Sequence, residues 1–303
     1  MNSYLIFAFS YPLLFGFVNI IDSRLTNRTI RDPLTLLFYM SLTNLVFLPL
    51  ILFFGTPTVP SPGLLVCYFL LALLDLVYQV PYYRALKKTN TSIVGALFSL
   101  GRVFIPVLTW LFLDERLKAS QYAGFVLIIG SAVLLSIRDF RMPRINAAFF
   151  LMLLSSSIRS VFAVLEKYTI DADGNWINMV IYPAVFAFFI PFALFFFRKS
   201  RRDILDHAES YRRSFGSFAG IELLAFTATS VMFFILPHIS AVVKTSVSAT
   251  MPIFILASNW ALYRFRGVEN YEELSPAEIL KKTVCFIVMT AGVAYKMMVK
   301  HEP

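Results

Sequence analysis

The chain has 303 residues, 58% of them hydrophobic and only 15% charged, with a mean hydropathy of +0.72. A soluble domain carries about a quarter charged residues, so a water-soluble globular fold is excluded. The net charge of +9 does not indicate nucleic acid, because the basic residues cluster in short connections between apolar runs.

Those runs reach roughly 20 residues, the length that crosses a ~30 Å hydrocarbon core and about twice that of a barrel strand. The expected class is therefore an all-α integral membrane protein with the lipid bilayer as solvent. Ten spans are predicted: Tyr4–Ile21, Leu34–Phe54, Leu64–Tyr82, Ser92–Leu113, Tyr122–Ile137, Ala147–Leu165, Trp176–Phe197, Phe215–Leu236, Ile239–Leu262 and Ile279–Met297. The first lacks a basic n-region and a small-residue cleavage site, so it is expected to be retained as a helix. The connection RKSRRDILDHAESYRR after the seventh span has the pattern of a surface amphipathic helix. Cys67 and Cys285 both fall within spans and are expected as free thiols, with no metal motif and no cofactor.

The chain repeats. A shift of 146 residues places Pro106 on Pro252, Ile93 on Ile239, Gly95 on Ala241 and Ser99 on Thr245, and brings Asp75 next to Glu222. A shift of 144 places Asp22 on Glu166, and beyond Pro252 the register breaks. The two halves are residues 1–140 and 141–303. Five spans per half is an odd number, so the halves lie in opposite senses, the plan of two inverted five-helix repeats that many secondary transporters share. Of 27 Lys and Arg residues, nineteen lie in the connections after odd-numbered spans and five on the opposite side. By the positive-inside rule the odd connections are cytoplasmic and both termini face out.

Five charges fall well inside spans: Asp75, Arg102, Arg159, Glu222 and Lys244. Intramembrane charges face a cavity or a partner and default to functional hypotheses. Arg102 and Lys244 lie on repeat-related helices and are candidates to neutralise a carboxylate or phosphate; the alternative pairs them with Asp75 and Glu222 as structural ion pairs. Asp75 and Glu222 are candidates for proton coupling, because low-dielectric surroundings disfavour a charged carboxyl group. The alternative is a permanent salt bridge to Arg102 or Arg159.

Tyr78 and Gln79 share a helix face with Asp75 and are candidate cavity residues, as are Arg159 and Ser248, the residue aligned with Arg102. Tyr82 and Tyr83 are assigned to the aromatic belt. The serines Ser155, Ser156 and Ser157 are read as close-packing residues. Pro106 and Pro252, each removing a backbone hydrogen bond, are candidate symmetric hinges.

The run from Tyr82 to Leu135 resembles the first repeat of EamA-type members of the drug/metabolite transporter superfamily. The resemblance is carried by Tyr82-Tyr83-x-Ala85-Leu86-Lys87, Pro106, the hinge Leu113-x-Glu115-Arg116-Leu117, and Gln121 with Gly124 and Gly130. Asn19-Ile20-Ile21-Asp22 and Leu165-Glu166-Lys167-Tyr168 look like the two repeat starts. The hinge departs in one respect: Asp114 stands where relatives usually have Gly.

The resemblance implies ten helices and a central cavity lined mainly by spans one, three, four, six, eight and nine. It also implies secondary transport without ATP hydrolysis, with the bacterial inner membrane as the expected location and a homodimer as a possible assembly. Relatives keep both termini cytoplasmic, against the charge count here. The first functional expectation is a transporter of a small anionic or zwitterionic metabolite, with protons as a possible coupling partner. The second is an exporter of cationic or drug-like compounds. The third, a membrane-embedded enzyme, lacks support, because the three histidines are scattered and no Walker, zinc or hydrolase motif occurs.

Overall fold

The computed structural model describes residues 7–88, 104–114 and 147–239, and individually 94, 122, 123, 126, 127, 130, 244, 247, 248, 250, 251, 254, 255, 258, 284 and 288. Among these residues the secondary structure is helical throughout.

In chain order the helices are α1 (Ser10–Arg24), α2 (Pro33–Phe47), α3 (Pro62–Leu86), α4 (Ile105–Leu113), α5 (Ala147–Asp173), α6 (Trp176–Phe189), α7 (Arg198–Asp206) and α8 (Ala208–Ile235). A π-helical turn, Leu25–Thr29, follows α1. Tighter 3-10 turns extend α2 to Phe53, α6 to Phe196 and α8 to His238. Five of the described segments are long and apolar enough to cross a membrane: Pro33–Phe53, Pro62–Leu86, Ala147–Asp173, Trp176–Phe196 and Ala208–His238.

Local chemistry sets where these helices begin. Asp32 caps α2, its carboxylate accepting from the Thr35 amide at 2.8 Å, and Pro33 follows in the first turn. Ser61 and Pro62 repeat the device at α3, and Asn175 accepts from the Ile177 amide at 3.0 Å to start α6. Proline is tolerated in a first helical turn because its missing N–H has no intrahelical partner there. Pro106 takes that place in α4. Its hinge counterpart Pro252 lies outside the described residues, as does Arg102.

Three helices outrun their predicted ends. The third span continues through Pro81 to Leu86, the eighth starts at Ala208, and the sixth runs on to Asp173. The last extension carries Glu166 and Lys167, read above as part of a connecting loop, into a helix where both are buried. The amphipathic connection divides. Its first part is α7, whose Ile204 is buried and accepts at its carbonyl from the Tyr39 hydroxyl at 2.6 Å. The rest is the first turn of α8.

The helices form one bundle in which α3 packs along α5 and α6, while α8 packs along α1 and α2. Small residues permit the closest approaches. Ser155 of α5 reaches the Tyr78 carbonyl of α3 at 2.9 Å, whereas Ser156, Ser157 and Ser160 donate back to carbonyls of their own helix. A Cβ on Gly16 of α1 would lie 3.2 Å from the backbone of Phe254 and Ile255.

The two ends of the bundle differ in chemistry. At one, the 55–61 connection is fastened to the α5–α6 junction. The Thr58 amide donates to Asn178 Oδ1 at 2.9 Å, and Asn178 Nδ2 donates to Thr58 Oγ1 and Asp173 Oδ2 at 2.8 Å each. At the other end sit α7 and the connections after α1 and α3. There burial holds the Lys87 ammonium below the ordinary lysine range, Asp32 opposes the shift, and Arg31 and Arg84 add to it. The described basic segments, α7 and the connections after α1 and α3, thus share one end of the bundle.

Asp114 ends α4 with φ 49° and ψ 25°, the left-handed conformation, and is the sole described non-glycine residue with positive φ. This explains why glycine suits the position, and why aspartate, one of the few residues that visit this region, replaces it. Asp114→Gly is expected to leave thermal stability nearly unchanged. Asp114→Val, β-branched and strained at positive φ, is expected to cost about 1–2 kcal/mol, read by denaturation of the purified protein in detergent.

Candidate functional site

The helices enclose a central cavity of about 300 Å³ between α1, α2, α3, α5, α6 and α8, with Lys244, Ser248, Met251 and Ile255 contributing further wall. Eight of the ten residues singled out from sequence are in this wall or, for Pro106, adjacent in chain to it. Asp75, Tyr78, Gln79, Arg159, Glu222, Lys244 and Ser248 line it directly; Pro106 follows the lining residue Ile105.

Position on a helix explains the convergence. Asp75, Tyr78, Gln79 and Tyr82 recur at three- and four-residue steps along α3 and so share one face. Arg159 and Glu166 are seven residues apart on α5, two turns along one face, and both point inward.

Arg159 has three partners. Its Nη1 lies 3.3 Å from Asp75 Oδ1, and its guanidinium carbon lies 3.9 Å from the Phe162 ring centroid and 5.2 Å from that of Tyr78. A planar cation between an aromatic face and a carboxylate is held both by the ring quadrupole and by the ion pair. Gln79 Nε2 donates to the other Asp75 oxygen at 3.1 Å. Asp75 is thus in a salt bridge, the structural alternative weighed for it above, with Arg159 as the cation.

Lys244 pairs with Glu166, its Nζ donating to Glu166 Oε2. Both are buried, at 5% and 2% exposure. Sequence reasoning missed Glu166 as a site residue because the hydropathy of the span falls away before it, which reads as a loop. The signal that could have found it was the repeat itself, which places it on Asp22.

Glu222 has a neutral partner, accepting from Asn44 Nδ2 of α2 at 2.9 Å. Asp22 of α1 also lines the cavity, and its Oδ1 is buried with no hydrogen-bond partner.

Tyr82 and Tyr83, assigned to the membrane boundary from sequence, are buried and line the cavity. The helix continues past them to Leu86. The Tyr82 hydroxyl donates to Asn19 Oδ1, and Asn19 Nδ2 in turn donates to the Phe15 carbonyl at 2.7 Å. This chain of bonds fixes the Tyr82 ring against α1.

A buried ion pair broken on one side leaves an uncompensated charge and costs about 3–5 kcal/mol, whereas replacing both partners by neutral groups is often neutral or stabilising. Lys244→Met and Glu166→Gln are each expected to destabilise the purified protein by that amount. The double variant should recover most of the loss, read as a double-mutant cycle by thermal or chemical denaturation.

Comparison with known proteins agrees with this architecture. Residues 2–137 match the EamA-like transporter family. Solute carrier family 35 member F3 of Homo sapiens is 28% identical over 86 residues, which span 28% of this chain and 20% of that protein. A solved structure described only as a crystal structure of a protein superposes with a TM-score of 0.66 at 14% identity, covering 99% of this chain and 97% of its own. That likeness concerns the fold alone. Residues 2–137 thus match the EamA-like transporter family, in a chain whose described helices include five long and apolar enough to cross a membrane.

Proposed function

We propose that the protein is a secondary active transporter of a small amine-bearing metabolite, an organic cation or a zwitterion, moved by alternating access in exchange for protons. Ten helices in two inverted five-helix repeats, residues 1–140 and 141–303, form the transport unit, and a bacterial inner membrane is the proposed location. The packing pattern supports the inverted repeat. The third span lies along the sixth and seventh just as the eighth lies along the first and second, which is the exchange that maps one half onto the other.

The observation that carries the substrate class is the charge inventory of the cavity. Among the described lining residues there are four carboxylates, Asp22, Asp75, Glu166 and Glu222, and two cations, Arg159 and Lys244. Each of those cations is already held by a carboxylate. An anion entering this cavity would meet cations that are occupied and carboxylates that repel it. A positively charged nitrogen would meet carboxylate oxygens and the faces of Tyr11, Tyr78, Tyr82 and Tyr83, which attract cations through the ring quadrupole. The cavity therefore favours an amine over the anion that Arg102 and Lys244 suggested from sequence.

Proton coupling belongs with Glu222, whose carboxylate has an amide and not a cation as its partner. Asp75 is tied to Arg159 and serves better as a fixed wall.

Stabilisation of the folded state by a ligand grows as RT ln(1 + [L]/Kd), about 2.7 kcal/mol at a hundred times Kd. In a thermal-shift panel of amines, amino acids, carboxylic acids and sugar phosphates, amines and zwitterions are expected to stabilise the purified protein and simple anions to leave it unchanged. Stabilisation by anions alone would refute the substrate class. In liposomes, an outward proton gradient should drive accumulation of the stabilising amine. Glu222→Gln should abolish that gradient-driven uptake while retaining exchange of labelled for unlabelled amine.

A further inference from the structure

The four cavity carboxylates fall into two repeat-related sets treated differently by the chain. On the side built by α3 and α5, Asp75 is paired with Arg159 at 3.3 Å and Glu166 with Lys244. On the side built by α1 and α8, neither carboxylate has a cation among the described residues: Asp22 Oδ1 is buried without a hydrogen-bond partner, and Glu222 accepts from the Asn44 amide at 2.9 Å. Asp22 is 7% exposed and faces the cavity. Glu222, Tyr82 and Tyr83 line the same cavity.

Asp22 and Glu166 correspond under the 144-residue shift. In the second half, the carboxylate at this place is satisfied by an alkylammonium supplied by the chain, Lys244 Nζ. The residue corresponding to Lys244 in the first half is Leu100 by the same shift, or Phe98 by the shift of 146. The first half therefore repeats the carboxylate without repeating its ammonium.

We propose that Asp22 forms a subsite for a substituted ammonium group of the transported molecule, which takes up at Asp22 the place that the Lys244 ammonium holds at Glu166. The proposal rests on the amine-transport reading above and assigns its docking point.

Other features of the cavity fit an organic ammonium. Tyr82 and Tyr83 line it together with Asp22, and an ammonium is attracted to ring faces as well as to a carboxylate. The Tyr82 hydroxyl is engaged with Asn19 Oδ1, so the ring is held and is not free to swing toward Asp22. Among the described residues, no three His, Cys, Asp or Glu side chains converge as a metal-binding group. The cavity volume of about 300 Å³ limits the ligand to a small molecule.

The test uses the full chain purified in detergent, with methylammonium, ethanolamine, choline and tetraethylammonium chlorides as probes and sodium acetate and phosphate as anionic controls. Binding is read by calorimetry and by melting temperature. At least one ammonium probe is expected to bind the wild type. Asp22→Asn should weaken it roughly thirtyfold or more, the scale for removing one partner of a buried charge pair, while Asp22→Glu should retain it. Asp22→Asn should also melt at a higher temperature than the wild type without ligand, because it removes a buried negative charge that no described cation compensates. A higher melting point with lost binding distinguishes a docking residue from a folding defect.

Unchanged ammonium affinity in Asp22→Asn, with binding abolished in Glu222→Gln, would overturn the subsite and leave the amine reading standing. So would a lower ligand-free melting temperature in both Asp22→Asn and Arg102→Ala, which would make Arg102 the internal partner of Asp22. Binding of acetate or phosphate with none of the four ammonium probes would overturn both proposals together.

Discussion

Burying a charge in the hydrocarbon layer is tolerable only where another charge, a hydrogen bond or a water-filled space compensates it. The centre of this protein is arranged by that constraint. Lys244 and Glu166 compensate each other with almost no exposure. Arg159 and Asp75 do so at the cavity wall, where both are half-buried. Each pair joins two segments distant in sequence, so the electrostatic constraint is also a packing constraint: α5 is held to α3 through Asp75 and to the segment around Lys244 through Glu166. The serines of α5 let it approach α3 closely enough for the first pairing to form, and Ser155 adds a direct bond to the α3 backbone.

The arrangement of α3 explains why polar groups accumulate there. Pro81 lacks the N–H that would serve the Val77 carbonyl one turn back, and the next carbonyl, that of Tyr78, receives Ser155. Beyond this irregular turn, α3 continues to Leu86 and brings Tyr82 and Tyr83 into the cavity. A helix that stopped at Tyr82 would have left both rings at the membrane surface. The proline thus lies within the stretch of α3, from Leu71 to Tyr83, that lines the cavity.

Hydropathy and the 3.6-residue period made the membrane class, the spans now described as α2, α3, α5, α6 and α8, and the inward face of α3 legible in the sequence. The charges inside spans pointed to the cavity, and Asp75, Arg159, Glu222 and Lys244 converge on it. Pairing was not legible. Which carboxylate meets which cation depends on helix rotation and depth, and a count of charges per span contains neither. Glu166 was missed for a related reason: a paired ion can continue a helix past the apolar run that hydropathy detects, so the apparent end of the sixth span fell seven residues or more short of its actual end at Asp173. Asp22 was visible only as a repeat marker. Its meaning came from knowing that Glu166, its counterpart, is neutralised.

The uneven neutralisation has a mechanistic consequence. A ligand can shift a conformational equilibrium only by as much as its affinity differs between the two states. If the chain supplied cations to all four carboxylates, a substrate amine would have nothing to compensate, and its entry would favour neither state. If it supplied none, the empty cavity would hold four repelling charges at great cost in stability. In the transport cycle we propose, satisfying Asp75 and Glu166 internally would keep the α3–α5 side together, while Asp22 and Glu222 would retain a repulsion that an incoming cation or proton relieves. In the proposed inverted repeat the two halves offer equivalent positions, and their divergence in sequence, Lys244 against Leu100 or Phe98, would supply the difference in charge that lets one side serve as frame and the other as site.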